Sequence, residues 1–465
     1  MLRFHSKYMK NFSCIPFVFM LLLSLSSQAQ AKKWTIEECV NYALENNISI
    51  KQTALDNQLA VIDKSSALGS FLPAINATGT HSWNIGLNQN ITTGLLENET
   101  TQFTSAQLNA NVDIFKGLQN QNRYRRANLA IISAQYQLTK MKDDVSLNVA
   151  NAFLQILFNK ENIKVQKEQL ANNEKQFQRT QELVNAGSVP RGDLLDIKAT
   201  VADNKQKVIL AENAFLISKL SLAQLLQLED FQTFEIADED YEAKQSEVMF
   251  QTPDAIYKKA LEERVEVKLA KANMQVAEKD VTIAKGAYLP SLMGFYSFSS
   301  RISYADVPLF DSNNVFIGYG NSAPFFNQFS DNKGHNFGLQ LNIPILSGFS
   351  VKNNVQRSKV ALERTKIALE QSEIDLERNV YQSFTDANGA FNAYESAVVA
   401  LEARESAFNY AKERYAVGMM NAFDFNQAQT LFSNAQSEVL RTKYDYIFRT
   451  KIVEFYFGIP ITKKP

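Results

Sequence analysis

The sequence predicts a mainly α-helical chain that also carries membrane-type β-strands and is built from two internal repeats. Three observations carry this. The chain contains one long sequence pattern twice, each copy has a stretch of nearly 70 residues almost free of glycine and proline, and each copy has strands that alternate apolar and polar residues.

The repeat sets the organisation. Leu108, Asn111, Gly117, Gly187 and Asp193 recur as Leu339, Asn342, Gly348, Gly418 and Asp424, all 231 residues apart. Earlier the spacing is 217: Ala43-Leu44-Glu45 returns as Ala260-Leu261-Glu262, and the Gly69 to Pro73 segment returns as Gly286 to Pro290, so the second copy holds 14 extra residues between Pro290 and Leu339. A repeat this long builds a pseudo-symmetric object, not a solenoid of short units. The expected layout is a signal peptide over 1–29 with cleavage after Ala29 or Ala31, a first repeat over 30–250 and a second over 251–465, the two interwoven into one domain. Arg3, Lys7 and Lys10 precede an apolar run from Ile15 to Leu25, which is the secretory pattern. Cys14 lies before that run, so it is not the lipidated first residue of a lipoprotein. No later stretch approaches the ~20 consecutive apolar residues of a membrane helix.

The helices come next. Gln119 to Ala186 contains no glycine or proline, and Val351 to Val417 contains only Gly389. Helical throughout, each would reach roughly 100 Å, although breaks are expected. Ile163, Leu170, Phe177 and Val184 repeat every seven residues, with Tyr394, Leu401, Phe408 and Tyr415 as their second-copy equivalents. The returning helices continue this through Leu194, Val201, Val208, Phe215 and Leu222, matched by Phe425, Phe432, Val439, Tyr446 and Val453. A sustained period of seven means side-by-side coiled-coil packing.

In the strands, Leu108, Ala110, Val112 and Ile114 alternate with Gln107, Asn109, Asn111 and Asp113, and Phe337 to Ile345 alternates likewise. Partner strands are expected at Ile75–Leu87 and Leu292–Tyr304, with loops Asn88–Gln102 and Ala305–Lys333 between them. Ten-residue segments with one apolar face and terminal aromatics are the outer-membrane barrel pattern. Four strands cannot close such a barrel. Two chains would give eight strands and a filled interior, whereas three would give twelve and room for a pore.

Composition excludes other classes. A net charge of −1 leaves no basic footprint for nucleic acid. One cysteine outside the leader, Cys39, excludes a disulfide framework. Only His81 and His335 follow the leader, without a triad, phosphate loop or metal-ligand cluster, so no catalytic site, metal or cofactor is expected. A periplasmic coiled-coil adaptor is the alternative, but it leaves four amphipathic strands unexplained.

The Ala-Leu-Glu start of each repeat, the Leu-Pro entering each strand pair, the glycine at each hairpin tip and the closing Phe457-Gly458-Ile459 together resemble the TolC family of outer-membrane efflux proteins, over nearly the whole chain. The resemblance implies a homotrimer: a twelve-stranded barrel in the outer-membrane lipid of a Gram-negative bacterium, continued by a periplasmic α-helical barrel. It implies no catalysis and an exit duct for a tripartite efflux or type I secretion system, working with a periplasmic adaptor and an inner-membrane pump or ABC transporter. Adaptor docking is expected at the tips, around Gly187, Ser188, Val189, Gly418 and Met419. The periplasmic entrance is expected at Asp424, Gln427, Met420 and Phe423, with Asp193 and Asp196 in the first repeat. The family's acidic pair after the second tip is reduced here to Asp424, with Gln427 beside it, and its arginine two residues after the glycine is Met420. Apolar contacts among Met419, Met420, Phe423 and Phe425 are therefore expected to hold the entrance more than ion pairs do. The sequence does not name the cargo.

Overall fold

A computed structural model describes residues 33–89, 94–237 and 241–461. The expected signal peptide lies outside the described residues. In chain order the elements are β1 (Lys33–Trp34), α1 (Ile36–Asn46), α2 (Ile48–Gly69), β2 (Ala74–Gln89), β3 (Leu96–Lys116), α3 (Gln119–Asn185), α4 (Arg191–Leu226), β4 (Glu235–Ile236), α5 (Pro253–Glu263), α6 (Val265–Gly286), β5 (Ser291–Ser303), β6 (Val307–Phe310), β7 (Phe316–Gly320), α7 (Phe325–Asp331), β8 (Gly334–Asn342), α8 (Ser350–Ala416) and α9 (Ala422–Tyr456). The long helices α3 and α8 run unbroken for 67 residues each. The anticipated breaks do not form, because nothing in either stretch removes a backbone donor and the single Gly389 costs only ~1 kcal/mol.

The chain forms two compact units, each drawing on both repeats. Of the described residues, the first takes 33–51, 141–237, 241–262 and 376–461. Its first helix, α1, starts on a strong cap. The Thr35 hydroxyl accepts from the Glu38 N–H at 3.2 Å while Glu38 accepts from the Thr35 N–H at 3.1 Å, a reciprocal capping box. Its apolar core includes Phe153, Ile156, Leu222, Leu226, Ile256 and Tyr446, all below 2 % exposed. Every one of the period-seven residues on α3, α4, α8 and α9 is buried or half-buried, and none is exposed. One described helix, α4, is long and apolar enough to cross a membrane by length and composition, where the sequence suggested none. It is instead fixed to α3: Lys167 pairs with Glu212 at 2.8 Å and Lys205 with Glu174 at 3.3 Å.

The second unit comprises Gln52–Lys140 and Glu263–Asp375. Its centre is an antiparallel four-stranded sheet of order β2-β3-β5-β8, with β2 and β8 as its two edges. Leu108 lies opposite Phe298 on the apolar face, and Asn109 opposite Ser297 on the polar face, where Ser297 Oγ donates to Asn109 Oδ1 at 2.8 Å. The ladder slips by one residue between Asp113 and Phe115, leaving Ile114 in a bulge. Three expectations are corrected. β2 runs to Gln89 and β3 starts at Leu96, so most of the expected loop Asn88–Gln102 is strand, and residues 90–93 lie outside the described set. β8 stops at Asn342 and not Ile345, because Asn342 lies opposite Ser291, the first residue of β5. The longer loop is folded: β6 and β7 pair as a hairpin, and α7 packs on β5, with Gln328 accepting from the Ser303 N–H at 3.0 Å.

Candidate functional site

Both hairpin tips close by the same device. After α3, Gly187 takes φ +72° and donates to the Val184 carbonyl at 3.0 Å, and Ser188 donates to Leu183 at 2.8 Å. After α8, Gly418 takes φ +75°, donates to Tyr415 at 3.2 Å, and Met419 donates to Arg414 at 2.8 Å. This paired pattern is the Schellman stop, which needs the left-handed backbone glycine supplies. A Cβ at either glycine would meet nothing within 4 Å. The tips are bare: Ser188 and Gly187 are exposed, Val189 is half-buried, and Met419 is 71 % exposed.

The first turn of α9 sorts the expected entrance residues. Asn421 caps the helix, its Oδ1 accepting from the Asp424 N–H at 2.8 Å, while its Nδ2 donates to Asp424 Oδ2 at 2.9 Å. Asp424 is thus a partner of its own cap and favourably placed at a helix N-terminus, yet its carboxylate remains exposed. Phe423 and Gln427, four apart, share one exposed helix face, with Asp424 beside them, and Met420 is half-buried just before the cap. Phe425 does not join them. It is 6 % exposed and stacks on Tyr415 with ring centroids 4.7 Å apart, backed by Phe408 at 5.8 Å. That removes Phe425 from the expected set of entrance contacts: it closes the hairpin from inside the chain. At the first tip, Pro190 precedes α4, Asp193 is half-buried in its first turn, and Asp196 is exposed one turn on.

Two features escaped sequence reasoning. Arg414, in the last turn of α8, donates from Nη2 to the Met419 carbonyl at 3.3 Å. An arginine does reach this tip, from before the glycine and not after it. A cation in a helix's last turn was the available signal. Farther from the tip, Arg449 bridges Asp386 at 2.8 Å and Asp445 at 2.9 Å. The i,i+4 spacing of Asp445 and Arg449 announces one of these contacts; Asp386, on another helix, has no local signal.

A sheet with one apolar face and two open edges, joined to helical hairpins of this length, defines an outer-membrane export duct. The chain belongs to the outer membrane efflux protein family, whose pattern matches residues 39–227 and 256–449. It is 22 % identical over 441 residues to the outer membrane protein TolC of Vibrio cholerae serotype O1, covering 93 % of this chain and 92 % of that protein. It is 23 % identical over 455 residues to TolC of Escherichia coli strain K12, covering 96 % and 86 %. Among solved structures, the CmeC outer membrane channel of Campylobacter jejuni superposes with a TM-score of 0.74 at 18 % identity, over 91 % of this chain and 85 % of that one. The protein is an efflux duct of the Gram-negative outer membrane, with its long helices in the periplasm.

Proposed function

We propose that three copies of this chain close a twelve-stranded barrel in the outer membrane, continued by a periplasmic helical barrel in which the two repeats of each chain interweave. The observation that carries this is the sheet with four strands and two unpaired edges. Membrane-spanning strands tolerate no open edge, and a bacterial barrel of fewer than eight strands is not known. Eight strands leave an interior that side chains fill, whereas twelve leave a passage. The duct serves a tripartite efflux or type I secretion assembly: a periplasmic adaptor docks at the bare tips around Gly187, Ser188, Val189, Gly418 and Met419, and an inner-membrane pump or ABC transporter supplies the energy.

The periplasmic entrance forms where the α9 first turns of three copies converge. Met420 and Phe423 hold it by apolar contact, Asp424 and Gln427 present acceptors toward the passage, and Asp193 and Asp196 play that part in the first repeat. Burying a Phe or Met contributes roughly 1.5–3 kcal/mol, whereas an exposed ion pair contributes about 0–1 kcal/mol and is screened by salt. Closure by these residues tolerates salt. The test is purification in detergent followed by bilayer recording. A heat-dissociable trimer is expected, with conductance, normalised to the bath, that stays low in molar salt and rises for Met420→Ser with Phe423→Ser. Asp424→Asn should weaken cation preference. A stable water-soluble monomer overturns the duct reading, and an entrance opened by salt alone overturns the assignment of its closure.

A further inference from the structure

The long helices lie in the periplasm, so the strand ends remote from them face the outside of the cell. There the sheet is uneven. The β3–β5 ladder ends at Phe103 and Ser303, with the Tyr304 N–H donating to the Gln102 carbonyl at 3.2 Å, while β3 continues outward to Leu96 on β2 alone. The chain leaving β5 bends at Ala305 and enters the β6–β7 hairpin. This step leaves a cavity of about 510 Å³ lined by Thr100, Thr101 and Gln102 of β3, Tyr304 and Asp306 at the bend, and Tyr319 of β7. All six residues belong to the second unit.

The polar groups of this cavity are unspent. Thr101 is 8 % exposed, yet its hydroxyl has no hydrogen-bond partner among the described residues. The Gln102 amide and the Asp306 carboxylate have none either. A buried hydroxyl left unpaired costs stability, so the cavity holds a donor and acceptors ready for a partner from outside the chain. The two rings, by contrast, are already fixed. Tyr304 Oη lies 3.0 Å from Thr104 Oγ1, which in turn lies 2.8 Å from His81 Nδ1. Tyr319 packs edge-on against Phe316 with centroids 5.2 Å apart. Both tyrosines stay open to a ligand, at 42 % and 56 % exposed, and rings held in place lose little freedom when one arrives.

The lining selects the ligand class. It is mainly polar, unlike the apolar pockets that hold drug-like molecules. It contains no lysine or arginine, and its one charge, on Asp306, repels phosphate, sulfate and carboxylate groups. A calcium ion takes about 6–8 oxygen ligands, many of them carboxylates, and finds one carboxylate here. A neutral sugar offers what remains: neighbouring hydroxyls that donate and accept, and a flat C–H face. We propose that this cavity is an extracellular carbohydrate site for one or two residues of a neutral sugar. Asp306 accepts from adjacent hydroxyls, Gln102 and Thr101 both donate and accept, and Tyr304 and Tyr319 cover the C–H face. The site is complete within one chain. Its sugar comes from the cell's own surface glycolipid or from the surroundings, and the recognition chemistry is the same for both.

The test uses the full chain purified in a detergent without a sugar headgroup. It is probed on an array of neutral oligosaccharides of glucose, galactose, mannose and N-acetylglucosamine beside their uronate and phosphate counterparts, and the best binder is then titrated by calorimetry. Neutral members should bind at least about tenfold more tightly than acidic ones. Asp306→Asn should weaken the neutral binder about tenfold and also remove the discrimination against uronates, which a merely structural carboxylate would not do. Thr101→Val, which keeps the side chain's shape, and Tyr319→Ala should each weaken binding several-fold. Asp331→Asn, an exposed carboxylate outside the cavity, should leave it unchanged and serves as the control. Competition by the delipidated glycan of the producing cell's own glycolipid assigns the sugar to the cell surface; binding without that competition assigns it to the surroundings. Native protein that retains no neutral oligosaccharide overturns the proposal. So does a preference for acidic sugars, or binding that survives Asp306→Asn, Thr101→Val and Tyr319→Ala unchanged.

Discussion

Replacing Gly187 and Gly418 together by asparagine separates two reasons for having glycine at the tips. The backbone there is left-handed, at φ +72° and +75°, and an added Cβ meets nothing within 4 Å. Alanine at each site therefore costs only the intrinsic left-handed penalty, about 1–2 kcal/mol per residue, with no steric term on top. Two sites bring roughly 2–4 kcal/mol per chain, confined to the two turns, the second of which is also held by the stacked Tyr415 and Phe425. Asparagine visits this backbone region far more readily, so the double asparagine variant should stay folded in the outer membrane and resist periplasmic proteolysis at the tips as well as the unaltered chain. If a bare tip is what the adaptor's hairpin packs against, the same variant loses export. The assay is growth of a strain lacking this gene on a panel of dyes, detergents and antibiotics, read beside cross-linking from Ser188 to the adaptor. Full export with asparagine at both tips refutes docking on bare glycine and leaves the turn as their whole purpose.

Two further outcomes follow from the same geometry. Phe425→Ala should cost about 3–5 kcal/mol and make the second tip protease-sensitive, whereas Phe423→Ser, at a side chain 70 % exposed, should leave chain stability within about 0.5 kcal/mol while raising conductance. Tyr446 has its phenol pushed up, first by burial. Its folded value lies above the unfolded one, so its contribution is complete below about pH 10 and is lost as pH rises through the folded value. Tyr446→Phe should flatten that alkaline loss in a pH series of thermal melts, and should cost about 1 kcal/mol at neutral pH for the bond to the Lys244 carbonyl, 3.2 Å long.

Periodic features were legible in the sequence because a period reports which face is covered. The seven-residue spacing on α3 and α8 names covered positions correctly, and the alternation in β3 and β5 sorts apolar and polar residues onto the two faces of one sheet. The tip glycines were legible for a related reason, since a long helix that must reverse leaves few residues able to take a left-handed backbone. What remained hidden depends on nonlocal partners. The β6–β7 hairpin rests on Phe310, Phe316 and Tyr319 packing on one another, which no repeat partner signals. Phe425 looked like an entrance residue because it stands two positions from Phe423, but that offset on a helix turns it to the opposite side, against Tyr415.

The repeats also differ, and the difference bears on what each groove between paired helices is for. In the first repeat, Asn148, Asn151, Gln155 and Asn159 of α3 face Ser218 and Ser221 of α4 across a cavity of about 910 Å³. The second-repeat equivalents of Gln155, Ala214 and Ser218 are Asp386, Asp445 and Arg449, where the guanidinium spans both carboxylates at 2.8 and 2.9 Å. One groove is polar and open, the other is bridged by charge. Arg449→Ser alone leaves two carboxylates without their shared cation. With Arg449 36 % exposed, the loss should be roughly 1 kcal/mol, not the several kcal/mol of a buried pair. Adding Asp386→Gln and Asp445→Ala turns the site into the first repeat's own combination, which already stands without charge, and should bring stability back to within about 0.5 kcal/mol of the native protein. Thermal unfolding of the protein reads both steps. Recovery means that the ion pairs serve only to satisfy each other. A triple variant as unstable as Arg449→Ser would show that the charges answer to something outside this groove, and the equivalence of the two repeats would fail at that position.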